Sequence, residues 1–251
     1  MSAKVRNIAL LGHGGSGKTS LVESILFLTG QIDRLGKVAD GNTVSDSDAE
    51  EIKRKISVTA SLVFTSHKDV KINIIDTPGY FDFVGEALQA ISVADAGIIV
   101  QPAKGSVTVG TEKSWEYLEA HNLPRMFYIS KLEEENADFN SVYNELREKF
   151  GNKVCPVVIP FYNDGKYEGC VDIVAQKAYI VTNGKPTETS IPEAAQATVD
   201  DYYTFLAEGV AETSEELMEK YFSGEPFTDE EIISGVSAGV LDGSLVPVVC
   251  G

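Results

Sequence analysis

The stretch GHGGSGKT, residues 12–19, constrains the fold of this chain more than any other. Gly12, Gly17, Lys18 and Thr19 have the G-x-x-x-x-G-K-[S/T] spacing of a loop whose backbone N–H groups turn inward around phosphate oxygens. Glycine lets the backbone close in that tightly. The apolar run RNIALL (6–11) precedes the loop. A helical period follows, with Leu21, Val22, Ile25, Leu26 and Leu28 on one side. The loop therefore joins a strand to a helix whose positive end would face an anion. His13, Gly14, Gly15, Ser16, Gly17, Lys18, Thr19 and Ser20 are the candidate phosphate contacts, with the His13 side chain read as incidental. Lys18 would reach the β- and γ-phosphates, and the Thr19 hydroxyl would ligate Mg²⁺. The bland alternative is a glycine-rich turn without a ligand.

A second motif, DTPGYFD (76–82), follows the apolar run KINIID. Asp76 ends that strand, so its carboxylate belongs at the C-terminal edge of the sheet, where such folds bind ligands. Gly79 has no side chain to keep its N–H from a γ-phosphate. Asp76, Thr77, Pro78, Gly79 and Tyr80 join the nucleotide-contact set, and Lys18, Gly79 and Tyr80 form the candidate catalytic set. For Asp76 the bland alternative is a cap on a helix over 83–92.

The first 150 residues alternate strand and helix signals. Residues 30–57 read as a long polar loop without a sustained period. SVTASLVFT and KINIID read as a strand pair across the turn SHKD, followed by a helix over 83–92 and the buried strand AGIIV. A helix over 109–121, the strand RMFYIS and a helix over 136–150 complete the series. This order predicts an α/β fold: a P-loop NTPase with a doubly wound, mostly parallel sheet. From about residue 152 the pattern changes to an α+β module. It has a strand pair around Asn183-Gly184 and three capping boxes, Ser190/Glu193, Thr213/Glu216 and Thr228/Glu231, with Gly224 and Pro226 closing the second helix. Expected domains are a core of 1–151 with 246–251 and an inserted subdomain of 152–245.

The net charge of −17 is uneven. Residues 1–150 hold 16 Lys/Arg against 21 Asp/Glu, whereas residues 151–251 hold 5 Lys and 17 Asp/Glu. So acidic a second half argues against phosphate-backbone binding there. It suits either a solvated surface or docking to a basic protein partner. No apolar run is long enough to cross a bilayer. Cys155, Cys170 and Cys250 lack C-x-x-C spacing and read as small apolar residues in a reducing, cytoplasmic compartment. His67 and His121 are assigned no role, and Trp115 and Tyr117 read as packing residues.

Taken together, GHGGSGKT, GNTVSDSDAEEIKRKIS and DTPGYFDFVGE resemble the GTPase domain of translation elongation factor G. The DTPGYFDFVGE form is most similar to that factor's elongation factor G-like paralogues. EGCVDIVAQKAYIV and AETSEELMEKYFSGEPFTDEEI resemble the insert particular to the factor. The resemblance implies GTP and GDP as ligands, Mg²⁺ as cofactor, and GTP hydrolysis on the ribosome. The core would meet the factor-binding centre and the acidic insert the stalk protein. It further implies a monomer without membrane contact or sequence-specific nucleic-acid binding by this part of the factor. Residues 37–57 would be the first switch, with Ser57 joining Thr19 and Asp76 as a metal ligand. The chain would match the first third of the factor. A Ser-Ala base-contacting loop and a helix would follow LVPVVCG.

Two departures bear on activity. Tyr80 stands where the family's main branch places a water-orienting histidine, and a phenol is a poor base near neutral pH. That implies slow intrinsic hydrolysis; the alternative is an aromatic that packs under the switch. Where the family reads Asn-Lys-x-Asp, this chain reads Ser130-Lys131-Leu132-Glu133. The resemblance makes Ser130, Lys131 and Glu133 the base contacts. Glu133 carries its carboxylate on a longer stem, which leaves guanine preference open and keeps a nucleotide holder with little hydrolysis, or an ATP-using P-loop enzyme, in view.

Overall fold

A computed structural model of the chain describes residues 4–182 and 185–251. The expected Asn183-Gly184 turn lies outside them. The chain divides into two compact units, Met1–Gln101 with Thr108–Leu123, and Pro102–Val107 with Pro124–Gly251.

In the first unit β1 (Lys4–Leu11) follows the apolar run at the N-terminus. Next come α1 (Lys18–Leu28), α2 (Ala49–Arg54), β2 (Ser61–His67), β3 (Val70–Asp76), α3 (Val84–Val93), β4 (Ala96–Pro102) and α4 (Val109–Ala120). β1 runs parallel to β3 on one side and β4 on the other, with Ile8 opposite both Ile74 and Ala96. β2 is the antiparallel partner of β3. Because side chains alternate along a strand, Leu10 and Ile74 face α1, where Val22, Leu26 and Val63 complete a buried cluster. Ala9 and its neighbour Gly97 point the other way. A Cβ on Gly97 would meet the Leu118 side chain of α4 at 2.5 Å. Helices thus cover both faces, as the alternating pattern predicts. The P-loop NTPase class is the one observed.

Local differences have local causes. The segment expected to be a bare loop contains α2, which is only six residues long and so too short to show a period. Asp48 and Glu51 form its capping box. The strand expected from Ser57 begins instead at Ser61, because the amides of Val58 and Thr59 donate to the Glu51 carboxylate and that of Ala60 to Glu86.

In the second unit the elements are β5 (Arg125–Ser130), α5 (Phe139–Phe150), β6 (Val154–Pro156), β7 (Val158–Asn163), β8 (Lys166–Asp172), β9 (Lys177–Thr182) and β10 (Lys185–Thr189). Then come α6 (Glu193–Ala211), α7 (Glu215–Ser223), α8 (Asp229–Asp242) and β11 (Val246–Cys250). β11 lies parallel between β5 and β6. β7 to β10 form an antiparallel sheet in sequence order. Phe139 and Tyr143 of α5 stack at 6.0 Å, and Tyr202 of α6 meets Tyr143 edge-on at 5.2 Å. The Tyr202 hydroxyl donates to Asn140 Oδ1 at 2.7 Å, so its polar end is satisfied.

Helix α5 begins three residues later than predicted. Asn136 is in the left-handed region, and the Asp138 side chain caps the helix through the Ser141 amide. Of the three expected capping boxes, Thr228/Glu231 forms. The Ser190/Glu193 box does not: Pro192 occupies the N-cap of α6 and makes no side-chain cap bond. The Thr213/Glu216 box is displaced by one residue, because the Thr213 hydroxyl donates back to Val210 O and Ser214 caps α7. Gly224, at φ 77°, ends α7 as expected. Among the described residues no helix is long and apolar enough to cross a membrane.

Candidate nucleotide site

The loop between β1 and α1 is built as a cradle. Gly12, Gly15 and Gly17 take φ values of 134°, 75° and 99°, conformations that disfavour a side chain. Lys18 is buried, and its Nζ donates to the carbonyls of Gly12 and His13 at 2.9 Å each. Burial lowers the Lys18 pKa to about 8, against the pull of the Asp76 and Asp46 carboxylates. An anion in the cradle would return to this ammonium the solvation it has lost. Ser16 and Thr19 are buried in the same loop, while Gly15 and Ser20 are exposed at its rim. The backbone of His13 packs against α4, where a Cβ on Gly110 would meet His13 Cα at 2.6 Å. This contact fixes the loop from behind and gives His13 a structural part.

Asp76 stands across from the cradle at the end of β3. Its Oδ2 accepts the hydroxyls of Thr19 at 2.8 Å and Ser45 at 2.9 Å. Its Oδ1 is buried without a hydrogen-bond partner. Burial raises the Asp76 pKa to about 6, with the two hydroxyls and Lys18 acting against the rise. Asp76 does not cap the helix that follows: the N-cap of α3 is Phe83, which makes no side-chain bond. The Thr77 hydroxyl donates to Leu10 O and ties the turn to β1.

The turn then folds over the cradle. A Cβ on Gly79 would fall 2.6 Å from the Gly14 nitrogen and onto Lys18 Nζ, so only glycine fits there. The Tyr80 ring lies against Gly14, where an added Cβ would meet it at 2.8 Å. Tyr80 remains 43% exposed, which places the ring at the edge of the loop rather than beneath it.

The segment expected to act as a switch closes on the same carboxylate. Ser57 Oγ is 3.4 Å from Thr19 Oγ1 and donates to Asp46 Oδ1 at 2.7 Å. Ser45 and Asp46 went unnoticed as site residues in the sequence. The run VSDSD signals only a polar loop, and nothing local says which of its oxygens turns inward. Burial raises the Asp46 pKa. Glu23 and Glu51 are buried carboxylates that bind backbone amides at the edges of this segment; Glu23 lacks a local signature, and the only one Glu51 has is its capping box with Asp48.

An unpaired Asp76 oxygen beside two hydroxyls is a hard-oxygen donor set, which suits Mg²⁺ bound chiefly through phosphates and water. Among the described residues no cluster of three or more His, Cys, Asp or Glu could hold a metal by itself.

Ser130, Lys131 and Glu133 belong to the second unit. Ser130 is buried at the end of β5, and its carbonyl accepts the Ala103 amide at 2.7 Å. Lys131 takes the left-handed φ of 63° and ion-pairs with Glu134 at 3.0 Å. Leu132 is buried and anchors the loop, which leaves Glu133 exposed.

A sequence model described as the elongation factor Tu GTP binding domain matches residues 3–251. The chain belongs to this family. As a member of the elongation factor Tu GTP-binding domain family, it is a GTP-binding domain of the translational GTPase kind. The crystal structure of ttk003000868 from Thermus thermophilus is similar to it, with a TM-score of 0.93 and 35% sequence identity. That match covers 100% of this chain and 38% of the Thermus chain, so the domain spans well under half of that relative.

Proposed function

We propose that this chain is the GTP-binding, GTP-hydrolysing domain of an elongation factor G-like translational GTPase that acts on the ribosome. The observation that carries the reading is the pairing of Thr19 with Asp76 opposite the cradle, closed by Gly79 at Lys18. Thr19 and Asp76, with Ser57, would hold Mg²⁺, which when bound neutralises charge on the β- and γ-phosphates. Lys18 and the amides of residues 13–20 would bind the phosphates and stabilise charge that develops on them. The Gly79 amide would sense the γ-phosphate, and its loss would release residues 37–57. Tyr80 would orient the attacking water through its hydroxyl. A phenol accepts a proton poorly near neutral pH, so intrinsic hydrolysis is slow.

Ser130, Lys131 and Glu133 would meet the base, with guanine bound through the Glu133 carboxylate. We take the core as residues 1–151 and 246–251, and the insert as residues 152–245. The acidic insert would meet the ribosomal stalk, the core would meet the factor-binding centre, and the domain would work as a cytoplasmic monomer. A second reading, a nucleotide-holding module with little hydrolysis, draws on the Tyr80 ring packed against Gly14. Single-turnover hydrolysis of GTP with and without ribosomes separates the two. Stimulated cleavage supports the GTPase reading, and tight binding without cleavage supports the second.

A further inference from the structure

Glu23 is 1% exposed and lies one helical turn after Thr19, on the same face of α1. Its carboxylate takes two backbone amides from far along the chain: Gly36 on Oε2 at 2.9 Å and Val44 on Oε1 at 2.5 Å. The segment between them is a closed loop. Lys37 donates its amide to Asn42 Oδ1 at 2.7 Å, and residues Val38–Asp40 make a short 3₁₀ turn. Gly36 has no room for a side chain, since a Cβ would stand 2.7 Å from the Asn42 carbonyl oxygen. The next residue after the clamp, Ser45, gives its hydroxyl to Asp76, and its carbonyl accepts the Ser61 hydroxyl at 2.7 Å.

We propose that Glu23 is a positioning residue for the metal end of the site. It clamps both ends of segment 36–44, and so sets Ser45 and Asp46 in register with Asp76 and Thr19. One face of α1 then does two jobs. Thr19 touches the candidate metal-binding carboxylate directly, and Glu23 fixes the loop that closes over it. Each carboxylate oxygen of Glu23 accepts one of these two amides, so both ends of the segment hang on a single side chain. Removing it leaves two donors unmet and frees the loop ends, without touching the cradle itself. The proposal rests on the Mg²⁺-nucleotide reading above for its consequence, though not for its geometry.

The test compares wild type, Glu23→Gln and Glu23→Ala by amide hydrogen exchange and by calorimetry with GDP, with and without Mg²⁺. Gly36 and Val44 should exchange about tenfold faster or more in Glu23→Ala and less so in Glu23→Gln, with the β1 amides unchanged. The tightening of GDP by Mg²⁺ should fall about tenfold, while Mg²⁺-free GDP affinity stays within about twofold. Unchanged exchange at Gly36 and Val44 would overturn the clamp. Equal losses of affinity with and without Mg²⁺, or faster exchange throughout β1, would reduce Glu23 to a general stabiliser and overturn the positioning role. If Glu23→Ala fails to fold, the nearly isosteric Glu23→Gln carries the same comparison. A wild-type chain that binds no GDP contradicts the function, while exchange at Gly36 and Val44 still decides the clamp. Loss confined to the variants concerns Glu23 alone.

Discussion

The Thr19 hydroxyl donates to Asp76 Oδ2 at 2.8 Å across 57 residues of sequence, and so joins the start of α1 to the end of β3. This bond places a hydroxyl and a carboxylate beside the ammonium of Lys18. The arrangement is costly, because burial disfavours the charged forms of both Lys18 and Asp76.

Asp76→Asn should therefore separate stability from function. The Asp76 pKa is raised from 3.8 to about 6 in the folded chain. Relative stability is then highest below pH 3.8 and is lost as pH rises through about 6. Removing the charge should stabilise the metal-free domain at pH 7.5 by up to about 3 kcal/mol, with little gain near pH 4. It should also abolish the effect of Mg²⁺ on GDP affinity. Thermal denaturation at the two pH values and calorimetry with and without Mg²⁺ check both halves.

Tyr80→His should raise the single-turnover rate of GTP hydrolysis by roughly tenfold or more, with GDP affinity within about twofold of wild type. Tyr80→Phe supplies the control. If the hydroxyl orients water, the rate falls further; if the ring only packs on Gly14, the rate holds. Rapid-quench measurements with and without ribosomes distinguish the outcomes.

The exposed Glu133 invites a specificity test. Glu133→Asp should tighten GDP by about tenfold and leave ADP unchanged, since only guanine presents paired N–H donors to this carboxylate. Competition against a fluorescent nucleotide measures both ligands on one protein. Equal tightening of GDP and ADP would count against a base contact.

Much of the fold was readable because its signals are local. The glycines of the cradle, the strand that ends at Asp76 and the Gly79 turn all depend on backbone shape within a few residues. The closure of the candidate switch segment is not readable, because Glu23 and Ser45 reach partners 13 to 31 residues away and Asp46 and Glu51 reach partners 7 to 11 residues away, all through buried side chains. Helix α2 was missed because six residues carry less than two helical turns of pattern. At the start of α6, Pro192 outcompetes a sequence-perfect Ser190/Glu193 box, since its fixed φ already suits the N-cap. Glu133 shows the limit for the expected base contact: its residue type is plain, but its exposure, beside the buried Leu132, is not.

The capping contrast gives a stability test. Thr228→Ala should cost about 1 kcal/mol, because that hydroxyl accepts the Glu231 amide at 3.2 Å within a complete box. Ser190→Ala should stay within about 0.5 kcal/mol of wild type. Urea denaturation of the two variants compares them directly.

The central claim is that the backbone around Lys18 grips a guanine nucleotide beside Mg²⁺ held at Asp76. Calorimetric titration of GDP and ADP into the chain, with and without Mg²⁺, tests it most directly. The account predicts one GDP site, tightened by Mg²⁺, with ADP weaker by about tenfold or more. Absence of binding by either nucleotide, or tighter binding of ADP than GDP, would contradict it.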